Sequence, residues 1–163
     1  MFKSFFQGRC AYLVVAAIGL FLGVLILGGC EKGPTPLPGD RFYEEPATEV
    51  TILFNGNDLA VMNGPTAPTV FSISSSYKIT LITNYHWNSG QGKPAGTIAL
   101  TSASGQVYGP WSVTTRSNVY WDVTPNVVIP AGTYTVIDSD PATWAQNSQS
   151  NGQGMSTVMG IPQ

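Results

Sequence analysis

The sequence predicts an all-β fold over residues 50–163, an antiparallel β-sandwich or jelly roll. Three observations carry that expectation. From Val50 onward apolar residues recur at every second position, not at the three-to-four spacing of a helix. The alternating segments are rich in Val, Ile, Thr and Tyr, whose branched or flat side chains suit a pleated, half-buried surface. Turn formers separate them: Asn55-Gly56, Asn63-Gly64-Pro65, Ser104-Gly105, Thr124-Pro125-Asn126 and Pro130-Ala131-Gly132. Seven or eight short strands so spaced make a sandwich, with a closed barrel as the alternative. The roughly 114 residues from Val50 to Gln163 are the size of one such module.

In chain order, Val50, Ile52 and Phe54 alternate with Thr51 and Leu53 as a first strand, and Phe71 and Ile73 alternate with Ser72 and Ser74 as a second. A long strand follows. Strict alternation puts Tyr77, Ile79, Leu81, Thr83, Tyr85 and Trp87 on one face, with Lys78, Thr80, Asn84 and His86 on the other, polar face. Ile98 and Leu100 mark the next strand, then Val107–Val113, Val119–Val123, Val127–Ile129 and Thr133–Asp138. From Asp140 the chain turns polar and rich in Gly and Asn, a long loop that leads to a last strand at Met155–Met159. Within it Trp144, Asn147-Ser148 and Gly152-Gln153-Gly154 echo Trp87-Asn88-Ser89-Gly90-Gln91-Gly92, a likeness too short for a repeat.

The first 49 residues are of another kind. Lys3 and Arg9 lie in a short basic head, an uncharged apolar run extends from Ala11 to Leu27, and Gly28, Gly29 and Cys30 follow. That order is the secretory signal pattern; an uncleaved membrane anchor is the alternative, the run being slightly short of the ~20 residues that span a bilayer. Leu27-Gly28-Gly29-Cys30 resembles the lipobox of bacterial lipoproteins. The resemblance implies a signal peptide at 1–29, acyl chains (palmitate among them) on Cys30 as the first mature residue, and a cell-envelope location. Glu31 in place of Asp favours the outer membrane. Residues 30–49 hold Pro34, Pro36, Pro38 and Pro46 without apolar periodicity, a semi-rigid extended tether. Phe42 and Tyr43 are the residues through which it could instead pack back on the domain.

Charge and cysteine usage narrow the function. Of 163 residues only 10% are charged, with seven Lys+Arg against nine Asp+Glu, so no basic footprint for nucleic acid exists. Removal of a signal with Lys3 and Arg9 takes the net charge from −2 to −4, of which −3 lies in the tether and −1 in the domain. Cys10 would leave with the signal and Cys30 carry lipid, which gives the domain no thiol. A nearly neutral Thr/Ser/Asn surface suits neutral partners.

Catalysis by common routes is short of parts. His86 is the one histidine, no Gly-x-Ser-x-Gly elbow occurs, and the domain carboxylates are Asp58, Asp122, Asp138 and Asp140. No enzyme is therefore expected; a carbohydrate-active hydrolase is the third-ranked reading. No cofactor is expected either, with one candidate ion. Asp138 and Asp140, alternating at a strand end and helped by Asn147, could face a calcium ion; equally, each could bond a nearby amide in a turn before Pro141. The aromatic residues carry more. Tyr85, Trp87, Trp111 and Trp144 sit near strand ends with His86 and Asn147 beside them, so flat apolar faces adjoin hydrogen-bonding groups. That pairing suits a neutral polysaccharide. Trp121 reads as core. The alternative is a structural or protein-interaction module of the envelope, in which the rings fill the interior.

Asn63-Gly64-Pro65, Tyr85-His86-Trp87-Asn88, Tyr108-Gly109-Pro110-Trp111, Pro130-Ala131-Gly132-Thr133-Tyr134 and Asp138-Ser139-Asp140-Pro141-Ala142-Thr143-Trp144, taken together, resemble a β-sandwich module of secreted and lipid-anchored bacterial proteins. The resemblance implies fold and location and brings no activity with it.

Overall fold

The computed structural model describes residues 47–163. The signal at 1–29, the lipobox and all but the last three residues of the tether lie outside the described residues. The described part is all-β. Its strands are β1 (Val50–Phe54), β2 (Met62–Asn63), β3 (Val70–Ile73), β4 (Tyr77–Tyr85), β5 (Thr97–Ser102), β6 (Val107–Ser112), β7 (Thr114–Arg116), β8 (Tyr120–Val123), β9 (Val127–Ile129), β10 (Gly132–Asp138), β11 (Ala145–Gln146) and β12 (Ser156–Pro162). One turn of 3₁₀ helix, Asn88–Gly90, follows β4.

The strands form an antiparallel sandwich. One sheet runs β1-β12-β4-β8-β7, with β9 also on β4; the other runs β3-β10-β5-β6; β2 and β11 make a separate short ladder. Ile79, Ile82, Trp121, Ile129 and Val158 from the first sheet meet Phe71, Ile98, Leu100, Tyr134 and Val136 from the second in a single core. Burial of these alternating positions is the main stabilising term. Tyr134 stacks on Phe71 at 5.6 Å and its hydroxyl donates to the Pro130 carbonyl at 2.7 Å, pinning the turn into β10 as tyrosine corners do in other sandwiches. Burial, with Tyr108 nearby, raises the Tyr134 phenol above its ordinary value.

A β-bulge in β4 overturns part of the sequence reading. Met159 of β12 faces Leu81 and Gly160 faces Ile79, so Thr80 is an extra residue without a partner in the ladder. Across the other edge of β4 the ladder breaks at the same level. β8 ends at Val123 opposite Ile82 and β9 begins at Val127 opposite Ile79, with Thr124-Pro125-Asn126 looped between them. Pro125 has no amide to donate, and Asn126 sits at φ +51°, a left-handed conformation asparagine tolerates. One inserted residue reverses every later side chain. Ile79 faces the core before the bulge. After it Ile82, Asn84 and His86 face inward, while Leu81, Thr83 and Tyr85 face out. The expected polar outer face carrying Asn84 and His86 is therefore an interior one.

Candidate ligand-binding groove

The bulge builds a groove on the outer face of the larger sheet. Strand register places Phe54, Thr157, Thr83 and Asp122 in one row directly across β1, β12, β4 and β8. A second row, on β4, β8 and β7, is Tyr85, Tyr120 and Arg116. Residues on one row of an antiparallel sheet share a face. The loop Gly56–Val61 rises beside this floor as a wall, and Trp87, just past the end of β4, stands at the rim. The open groove has a volume of about 680 Å³ and is lined by Phe54, Asp58, Thr83, Tyr85, Trp87 and Tyr120 among others. That volume lies within the ~300–1,000 Å³ of small-molecule sites.

The rings are arranged in sequence. Arg116 lies over Tyr120 at 4.4 Å, and Tyr120 stacks on Tyr85 at 5.1 Å. Trp87 lies 6.4 Å from Tyr85, tilted by 35°. Trp87 is 43% and Phe54 67% exposed, whereas Trp121 and Trp144 are buried. Partial burial, then the neighbouring Tyr120, pushes the Tyr85 phenol above its usual range, so it stays a neutral donor across physiological pH. Arg116 donates to both oxygens of Asp122, at 2.7 and 3.2 Å, and Thr83 Oγ1 donates to the same carboxylate at 2.7 Å. The Arg116–Asp122 hydrogen bond holds the guanidinium above its ordinary pKa.

The wall is fixed from the long C-terminal loop. Asn57 and Asn147 exchange amide hydrogen bonds at 3.1 and 2.7 Å, Asn57 Oδ1 accepts from the Leu59 amide, and Asn147 Oδ1 accepts from the Ser150 amide. Asn147 is buried, so it positions the wall and does not face the groove.

Beneath the floor the same bulge creates a buried polar network. Ser156 Oγ donates to Asn84 Oδ1 at 2.7 Å, and Asn84 Nδ2 donates to Asp138 Oδ2 at 2.7 Å. His86 Nε2 lies 3.1 Å from the same oxygen, with Nδ1 2.9 Å from Thr143 Oγ1. Asp138 Oδ1 accepts from the Asp140 amide at 2.8 Å. His86 is fully buried and packs on Trp121, ring centroids 4.0 Å apart. Among the described residues only Thr80 Oγ1, at the bulge itself, is a buried side-chain polar atom without a partner.

The predicted site residues thus separate. Tyr85 and Trp87 are brought together on the groove. His86 is interior, Asn147 braces the wall, and Trp144, only 4% exposed, belongs to the core with its Nε1 donating to the Met155 carbonyl. Trp111 is half-buried on the other sheet, opposite Ile98. The two tryptophan loops that echo each other in sequence consequently have different uses. Asp138 and Asp140 do not converge on one point. Asp138 points inward with both oxygens engaged, whereas Asp140 pairs with the Lys93 ammonium, which holds its carboxyl below the usual range. No group of three or more His, Cys, Asp or Glu arranged to hold a metal ion occurs among the described residues. The Asp138 geometry is that of the side-chain-to-amide turn.

Phe54, Asp58, Thr83 and Tyr120 are groove residues that sequence reasoning did not select. Phe54 and Asp58 flank the Asn55-Gly56 turn, and a large ring beside a turn at a strand end is the signal that could have found the first. Compared with protein-family models, curated proteins and solved structures, the chain finds no match. No helix among the described residues is long and apolar enough to cross a membrane.

Proposed function

We propose that this protein is a non-enzymatic binding module of the cell envelope, held at the outer membrane by acyl chains on Cys30, whose groove takes carbohydrate. One observation supports the groove's role above others: Trp87 and Tyr85 stay accessible beside Phe54 over a floor that includes Thr157. Sugar rings offer apolar C–H faces for such aromatic surfaces and hydroxyls for such donors and acceptors. A protein partner is the second reading, favoured by Leu59 and Met62, both exposed on the segment that forms and follows the groove wall.

Full-length protein in neutral detergent, screened against polysaccharides and envelope glycans, tests the proposal. Binding should fall about tenfold or more in Trp87→Ala and be retained in Trp111→Ala. Silence of the wild type across the screen discards the carbohydrate reading. Fatty-acid labelling that persists in Cys30→Ala discards the anchor.

A further inference from the structure

We infer that the groove selects a glycan bearing free amines over its uncharged counterpart, with Asp58 as the residue that reads the amine. The inference rests on the groove being a carbohydrate site and names the class of sugar it prefers.

The argument is one of charge left over. Two of the three Lys and Arg side chains of the described residues are matched: Arg116 with Asp122 and Lys93 with Asp140. Asp58 forms no ion pair among the described residues, is exposed, and lines the groove. Its loop is not free to turn it away easily, because Asn57, its neighbour, is held in the reciprocal amide pair with Asn147. The cation beside the floor, Arg116, is already matched by two hydrogen bonds to Asp122. Lys78 stands seven residues from Tyr85 along β4, roughly 20 Å away at ~3.3 Å per residue.

The groove therefore combines a carboxylate that has no ion pair among the described residues with the exposed rings of Trp87 and Phe54, Tyr120 being already engaged by Arg116 and Tyr85. Carboxylate and aromatic faces both favour a cation: the first by charge, the second through the negative face of the ring quadrupole. A neutral sugar leaves Asp58 with only water or a hydroxyl to bond, whereas a protonated sugar amine satisfies it while the ring still lies on the aromatic surface.

The test uses full-length protein in neutral detergent micelles at pH 5.5 and low salt. Oligomers of glucosamine and of galactosamine are titrated calorimetrically, each as the free amine and as the N-acetylated form. The amine should bind about tenfold more tightly than the acetylated form of at least one sugar, and the preference should shrink in 0.5 M salt. Asp58→Asn should bring the two forms to parity. Equal affinities in the wild type, or a preference that survives Asp58→Asn, overturns the inference and leaves the carbohydrate reading standing. Binding of neither form of either sugar also overturns it, and the wider glycan screen then decides the carbohydrate reading separately. Saturable binding of oligolysine without any glycan binding overturns both in favour of a basic protein partner.

Discussion

Replacing Asp138 by Ala would strip the acceptor from three donors at once. Asn84 Nδ2 and His86 Nε2 are side-chain donors on fully buried residues, and both converge on Oδ2; the Asp140 amide uses Oδ1. A buried donor left without a partner costs about 1–3 kcal/mol, and no water from bulk reaches Asn84 or His86 without opening the sandwich. Counting those two side chains gives about 3–5 kcal/mol, a large part of the ~5–15 kcal/mol that holds a domain together. For a domain of this size the shift corresponds to a fall in Tm of roughly 10–20 °C. Calorimetric or circular-dichroism melting of wild type and Asp138→Ala measures it, in excess chelator and again in millimolar calcium. A fall under about 4 °C in chelator would refute the reasoning. A wild-type Tm that rises with calcium, and an Asp138→Ala deficit present only with calcium, would show that the carboxylate serves an ion and not the buried donors.

Two further outcomes follow from the same geometry. Gly154→Ala should destabilise the domain by about 2–3 kcal/mol, because a Cβ there would lie 2.1–2.5 Å from three ring atoms of buried Trp144. Its carbonyl is also pinned by Asn55 and Thr69, so neither side can yield; Gly105→Ala, with open space around it and φ +86°, should cost only about 1 kcal/mol, and equal urea midpoints for the two would contradict the packing argument. Lys93→Met should lower stability by about 0.5 kcal/mol at pH 7, a small figure because the ammonium is partly exposed. The pair depresses the folded-state pKa of Asp140, so its contribution is present above the unfolded value of ~3.9 and disappears as pH falls through the lower folded value. Urea denaturation from pH 7 to 2.5 should show the variant and wild type converging at the acid end; a constant difference would assign the effect to packing of the Lys93 stem.

Period-two alternation and turn chemistry made the longer strands legible, whereas the three-residue β7 (Thr114–Arg116) went unread and twelve strands stand where seven or eight were expected. Val50–Phe54, Val127–Ile129 and the start of β4 lie where the pattern puts them, and Trp121 fills the core as its flanking valines imply. Those are local properties: side-chain shape and turn preference act within a few residues. The short ladder of β2 and β11 escaped notice because each strand is two residues long, and no period can be read from two.

The candidate site was half legible for a different reason. Tyr85 and Trp87 carry their chemistry in their own rings, and their position at a strand end exposed them to notice. Whether His86, Asn147 or Trp144 faces solvent is set by partners far along the chain: Asp138 for His86, Asn57 for Asn147, Met155 and Gly154 for Trp144. Composition, alternation and turns determined by themselves that residues 50–163 form one all-β module with a nearly neutral surface. Tertiary structure alone decided which face of β4 is inside. Thr80 is extra only relative to β12, and a bulge is a property of paired strands, invisible in the strand that carries it. That single unpaired residue turns Asn84 and His86 into the core and Tyr85 onto the groove.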